Sequence, residues 1–126
     1  MRLEWIGQRD HWRLIGRLLI VAVIALSLLP AALLPGMPTP VGSDKCLHAS
    51  AYFVLAAWYV PLWRSRRAGW VYAVGWIALG IALEVLQGFT ASRISEWLDA
   101  VANTVGVLLG SSLAWTAWAR LFAQRR

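Results

Sequence analysis

Three pairs of polar side chains interrupt an otherwise apolar sequence: Asp44 with His48, Glu84 with Gln87, and Asp99 with Asn103. The members of each pair are three or four residues apart, so on a helix each pair projects from one face. Lys45 stands beside Asp44, Tyr52 extends the His48 face by one turn, and Arg93 lies between the second and third pairs. A histidine with two carboxylates can give and take a proton, which makes His48, Glu84 and Asp99 the candidate catalytic residues. Lys45 and Arg93 suit a phosphate or carboxylate. Asp44, His48, Glu84 and Asp99 are also mixed oxygen and nitrogen metal ligands by type. The cations Lys45 and Arg93 argue against a dense metal site, so neither a metal nor a cofactor is expected.

The chain around these residues has the composition of helices in lipid. Of its 126 residues 60% are hydrophobic and 14% charged, and its long runs are apolar on every side rather than on one face. The single cysteine, Cys46, excludes an internal disulfide and a multi-thiolate zinc site. The net charge of +6 comes from short arginine clusters between apolar runs. No nucleic-acid-binding pattern accompanies them, so no nucleic-acid partner is expected.

Four helices are predicted, at about 14–34, 44–63, 69–89 and 96–120, in a single domain spanning 1–126. Residues 1–13 alternate Trp5, Ile6 and Trp12 with Arg2, Arg9 and Arg13, and read as an interfacial lead-in. Between Pro35 and Gly42 three prolines and two glycines preclude a helix. Ser43 is a good N-cap for helix two, with Asp44 near the positive end of its dipole. Arg64, Ser65, Arg66 and Arg67 form a basic turn, which makes helices two and three antiparallel neighbours. Ten of the twelve basic residues fall on one side of this topology; Lys45 and Arg93 alone fall on the other. By the positive-inside rule both termini are cytoplasmic. The fold class expected is therefore an all-α membrane protein, a four-helix transmembrane bundle with short loops. All three polar pairs then lie at its outer end. Gly106 and Gly110 continue the Asp99 and Asn103 face and let another backbone approach it. The expectation is a polar pocket in the outer half of the bundle, roofed by Arg93.

The ordered set Asp44, Lys45, His48 and Tyr52, then Glu84 and Gln87, then Arg93, then Asp99, Asn103, Gly106 and Gly110 resembles the VanZ-like family. The resemblance covers about residues 44–110. It departs from many relatives in lacking a proline in the loop after Gln87, which bears on that loop's conformation alone. It implies a small multi-pass protein of the bacterial plasma (inner) membrane, in a family named for raising resistance to teicoplanin. It supplies a phenotype and no reaction. On this basis Asp44, Lys45, His48, Tyr52, Glu84, Gln87, Arg93, Asp99 and Asn103 are the candidate ligand-binding residues. The partners implied are the lipid bilayer and a lipid-linked or anionic envelope molecule.

Three classes compete for the function. The pocket binds an envelope or lipid-linked molecule; or it is an enzyme using His48 with Glu84 or Asp99 on a lipid-linked substrate; or the bundle is purely structural or a transporter subunit. Plainer roles also exist for individual residues, with Gln87 and Asn103 as interhelical hydrogen-bonders and Cys46 as a small apolar filler. Against the structural reading stands the number of groups. Asp44, Glu84, Glu96 and Asp99 facing Lys45, Arg93 and His48 exceed what packing four short helices requires, since buried ion pairs often lose in desolvation what they gain in attraction.

Overall fold

The computed structural model describes residues 2–29, 43–63, 65–90 and 95–113, with Thr116 and Arg120. Side chains are described from Asp10 in the first helix and from Asp44 in the second. Among the described residues there are four α-helices and no strand. They are α1 (Arg2–Leu28), α2 (Ser43–Tyr59), α3 (Arg66–Gly88) and α4 (Trp97–Ser112).

Local chemistry explains where these bounds depart from the expected ones. α1 is one 27-residue helix that takes in the expected lead-in, because nothing between Arg2 and Leu14 breaks a helix more strongly than Gly7. The expected stretch 30–34 lies outside the described residues. α2 passes into a 3-10 turn over Val60–Leu62, with Pro61 near the start of that turn. α3 begins three residues before the expected Gly69, because the Ser65 hydroxyl accepts from the Ala68 amide at 3.2 Å and caps it. α4 is described as an α-helix to Ser112; of the expected stretch up to Arg120, residues 114, 115 and 117–119 lie outside the described residues, and Arg120 is helical. Past Leu109 the hydroxyls of Ser112 and Thr116 donate to the carbonyls of Leu109 and Leu113, at 2.6 and 2.7 Å, and compete with the helical ladder.

Connections alternate up and down, so α2 and α4 run parallel to each other and antiparallel to α1 and α3. Among the described residues the α2–α4 contact is the most extensive, followed by α3–α4. Two glycines allow it. A Cβ at Gly106 would collide with the Ala49 carbonyl, and one at Gly110 would lie 2.5 Å from the Phe53 carbonyl oxygen. The interior is built on α2, where Tyr52, Leu55, Ala56 and Tyr59 meet Ala73 of α3 and Val107 of α4. At the end away from the polar pairs, α1 is fastened to α2 by Trp12 and Trp58. Their rings stack at 3.8 Å, and each indole N–H donates to the other residue's carbonyl, at 2.9 and 3.0 Å.

The outer surface is apolar. Leu18 and Val21 on α1, Val71 and Val74 on α3 and Leu109 on α4 are all more than half exposed. Two segments are long and apolar enough to cross a membrane, Asp10–Leu28 and Arg66–Gly88, each with a mean hydropathy of 1.7. The α-helical parts of α2 and α4, 17 and 16 residues, fall short of the roughly 20 residues a span requires. Four spanning helices were expected; among the described residues two meet that measure.

Gly106→Ala should lower stability in detergent by about 1–3 kcal/mol through overpacking against α2, read as a lower midpoint of thermal unfolding. Gly75→Ala, where an added Cβ meets nothing within 4 Å, should leave the midpoint unchanged or raise it.

Candidate functional site

Because the helices alternate, the starts of α2 and α4 and the end of α3 meet at one end of the bundle. Lys45 joins the first two. Its ammonium donates to Asp44 at 2.8 Å, to Glu96 at 2.8 Å and to Asp99 at 2.9 Å. An ammonium has three donors, and all three are committed here. Lys45 therefore holds three carboxylates together and has no donor left for an anion in this arrangement. Its long side chain leans toward the N-terminus of α2, as helical side chains do, and so reaches the first turn of α4.

One turn further in, His48 lies between three groups. Its Nδ1 is 3.0 Å from Asn103 Oδ1 and 3.8 Å from Glu84 Oε1, and its Nε2 is 3.8 Å from Asp99 Oδ2. An amide oxygen only accepts, so the Nδ1 proton is directed to Asn103. Glu84, Gln87, Asp99 and Asn103 are all buried, which is unusual for four such side chains in 126 residues. Tyr52 is 2% exposed. Its ring edge comes within 3.3 Å of the Cβ position of Gly80, as do Asn103 Cβ and Nδ2.

Other bonds hold the end of α3 in place. The Ser95 hydroxyl donates to the Glu84 carbonyl at 3.0 Å, and the Thr90 hydroxyl to the Gln87 carbonyl at 2.8 Å. The Gln87 amide donates to the Ser27 carbonyl at 2.6 Å. Gln87 thus spends that donor in tying α3 to the end of α1, the interhelical role open to it from its type.

Of the sequence-derived residues, Asp44, Lys45, His48, Tyr52, Glu84, Asp99 and Asn103 meet at this end, with Gln87 one turn beyond Glu84. Arg93, the expected roof, lies outside the described residues. Cys46 is exposed, not packed as an apolar filler. Glu96 joins the cluster through Lys45, and Ser95 and Ser27 enter through backbone and hydroxyl bonds that leave no spacing pattern in a sequence. Two groups could hold a cation. Ligand atoms of His48, Glu84 and Asp99 lie within 4.8 Å of one another, as do those of Asp44, Glu96 and Asp99. Lys45 already fills the second group.

No family model, curated protein or solved structure matches the chain. The likeness to the VanZ-like family rests on the ordered residues alone.

Within the Lys45 network the contribution of each carboxylate should follow its burial. The Asp99 side chain is 10% exposed, against 49% for Glu96 and 55% for Asp44. Exposed ion pairs contribute little, whereas a buried one leaves a stranded charge when broken. Asp99→Asn should therefore lower the melting temperature in detergent clearly more than Glu96→Gln or Asp44→Asn. Equal losses would show that burial does not rank them.

Proposed function

We propose that this chain is a multi-pass protein of the bacterial inner membrane, with both termini cytoplasmic and the polar cluster at the outer leaflet. There it binds an envelope or lipid-linked molecule and contributes to glycopeptide resistance of the teicoplanin type. The observation that carries this reading is the convergence of four of the chain's six acidic residues, with Lys45 and His48, at one end of an apolar bundle. A bundle stabilised by packing alone has no use for so many charges at one point. The charge distribution supports this side, since ten of the twelve basic residues fall on one side of a four-span topology. Two apolar helices of sufficient length and the exposed apolar surface of α1, α3 and α4 supply the lipid-facing part.

A second reading has its own support. His48 stands 3.8 Å from both Glu84 and Asp99, close enough for a small movement to make an acid and base pair on a lipid-linked substrate. Both readings use one cluster of side chains.

Glycopeptide antibiotics act outside the membrane on lipid-linked wall precursor, and teicoplanin carries an acyl tail that anchors it in the bilayer. Expression of this chain in a glycopeptide-sensitive Gram-positive host should raise tolerance to teicoplanin more than to vancomycin, which lacks the tail. His48→Ala and Arg93→Ala, at equal membrane abundance, should each abolish the effect. Equal tolerance to both drugs, or an effect that survives both substitutions, contradicts the proposal.

A further inference from the structure

We infer that the cluster recognises a primary ammonium group of its ligand, held between His48 Nε2 and Asp99 Oδ2 with the Tyr52 hydroxyl as a third acceptor. This names the chemistry of the envelope molecule proposed above and rests on that reading.

Hydrogen bonding at His48 leaves one ring nitrogen open. With the Nδ1 proton directed to Asn103 Oδ1 at 3.0 Å, the neutral ring carries only a lone pair at Nε2. That nitrogen stands 3.8 Å from Asp99 Oδ2. Both atoms are acceptors, and their separation is too long for a hydrogen bond. Lys45 binds the other oxygen of Asp99, Oδ1, and its remaining donors go to Asp44 and Glu96. Two acceptors therefore lie side by side with no donor between them among the described residues. A phosphate or carboxylate oxygen only accepts and would face two lone pairs, and a hydroxyl could donate to one of them alone. An ammonium donates to both. The His48 side chain is 20% exposed, which leaves an opening for a group of this size.

Charge favours the ammonium over a neutral amine or a water. Asp44, Glu96 and Asp99 surround Lys45, three carboxylates to one ammonium. The sum of these four charges is negative, so a second cation at Asp99 Oδ2 is attracted by the group despite Lys45.

An independent observation comes from Tyr52. Its side chain is buried, and its hydroxyl has no hydrogen-bond partner among the described residues. Tyr52 is one turn beyond His48 on the same face of α2, and helical side chains lean toward the helix start, which carries the hydroxyl toward His48. A buried hydroxyl left unpaired is costly, and an ammonium has a third donor for its oxygen. Leu47 and Trp97, on the turns that carry His48 and Asp99, are 66% and 74% exposed. Apolar surface thus borders the cluster, and the ammonium of a lipid headgroup can reach it as well as that of a soluble amine.

The test is a calorimetric titration of the full chain, purified in detergent, with two short-chain lipids. Dihexanoyl phosphatidylethanolamine and dihexanoyl phosphatidylcholine share phosphate, tails and a positive head, but the second has no N–H. Saturable binding of the first is expected, about tenfold or more tighter than the second, the loss that removal of a charge-assisted hydrogen bond implies. Methylammonium, titrated against tetramethylammonium, identifies the source. Saturable binding of methylammonium assigns the site to an amine free of lipid, and binding of phosphatidylethanolamine without it assigns the site to a headgroup. Tyr52→Phe removes an unpaired hydroxyl, so it should keep or raise the melting temperature while weakening the binding. His48→Ala should weaken it too, and should that variant fail to fold, the two lipids on the native chain decide. Equal affinity for both lipids, no saturable binding of either N–H ligand, or a Tyr52→Phe chain that binds as tightly as the native one would each overturn the site. No antibiotic enters this titration, so its failure leaves the teicoplanin experiment standing, and failure of that experiment leaves the ammonium site standing.

Discussion

The backbone of α2 touches the backbone of α4 because Gly106 and Gly110 carry no side chains, and the register of that contact decides where each polar group falls. Ala49 lies opposite Gly106 and Phe53 opposite Gly110, with the same offset at both points. From this pairing, and from the lean of side chains toward the helix start, Lys45 reaches the first turn of α4 and His48 meets Asn103 and Asp99. A shift of one residue would rotate both faces by about 100°, given 3.6 residues per turn, and separate them. The polar cluster therefore depends on an apolar, backbone-to-backbone contact one to two turns away from it.

The same parallel arrangement brings two helix starts to one end. The N-terminal ends of α2 and α4 carry partial positive charge that favours Asp44, Glu96 and Asp99, and Lys45 adds a full charge between them. Those contributions offset the desolvation of carboxylates that apolar helices would otherwise oppose. Glu84 comes from the end of α3, where the dipole is unfavourable to it. It faces His48 instead. That difference separates a half of the cluster centred on Lys45 from a half centred on His48, beside which the buried Tyr52 hydroxyl has no hydrogen-bond partner among the described residues.

Much of this was legible in the sequence because helical periodicity is a local property. The three spaced pairs, the extension of the first face to Tyr52 and the inward face of Gly106 and Gly110 all follow from 3.6 residues per turn. The identity of the helix that fills the glycine face does not. Nothing local tells that α2 packs there, and the basic turn after Trp63 pointed first to α2 against α3. Helix ends were less legible for a different reason. The Ser65 cap is set by a rotamer rather than by composition, and it moved the start of α3. Lys45 was read as an anion contact from its charge, but only coordinates could show that three carboxylates had taken its donors.

The proposed function requires the cluster to open outward from the membrane. Cys46 is the chain's single thiol and is exposed within the first turn of α2, while Ser65 caps α3 at the opposite end. Intact spheroplasts treated with a membrane-impermeant maleimide compare the two directly, with Cys46 in the native chain and Ser65→Cys in a Cys46→Ser background. An outward cluster predicts labelling of Cys46 before lysis and of the Ser65→Cys thiol only after it. Labelling of the Ser65→Cys thiol in intact cells, with Cys46 protected until lysis, would contradict it.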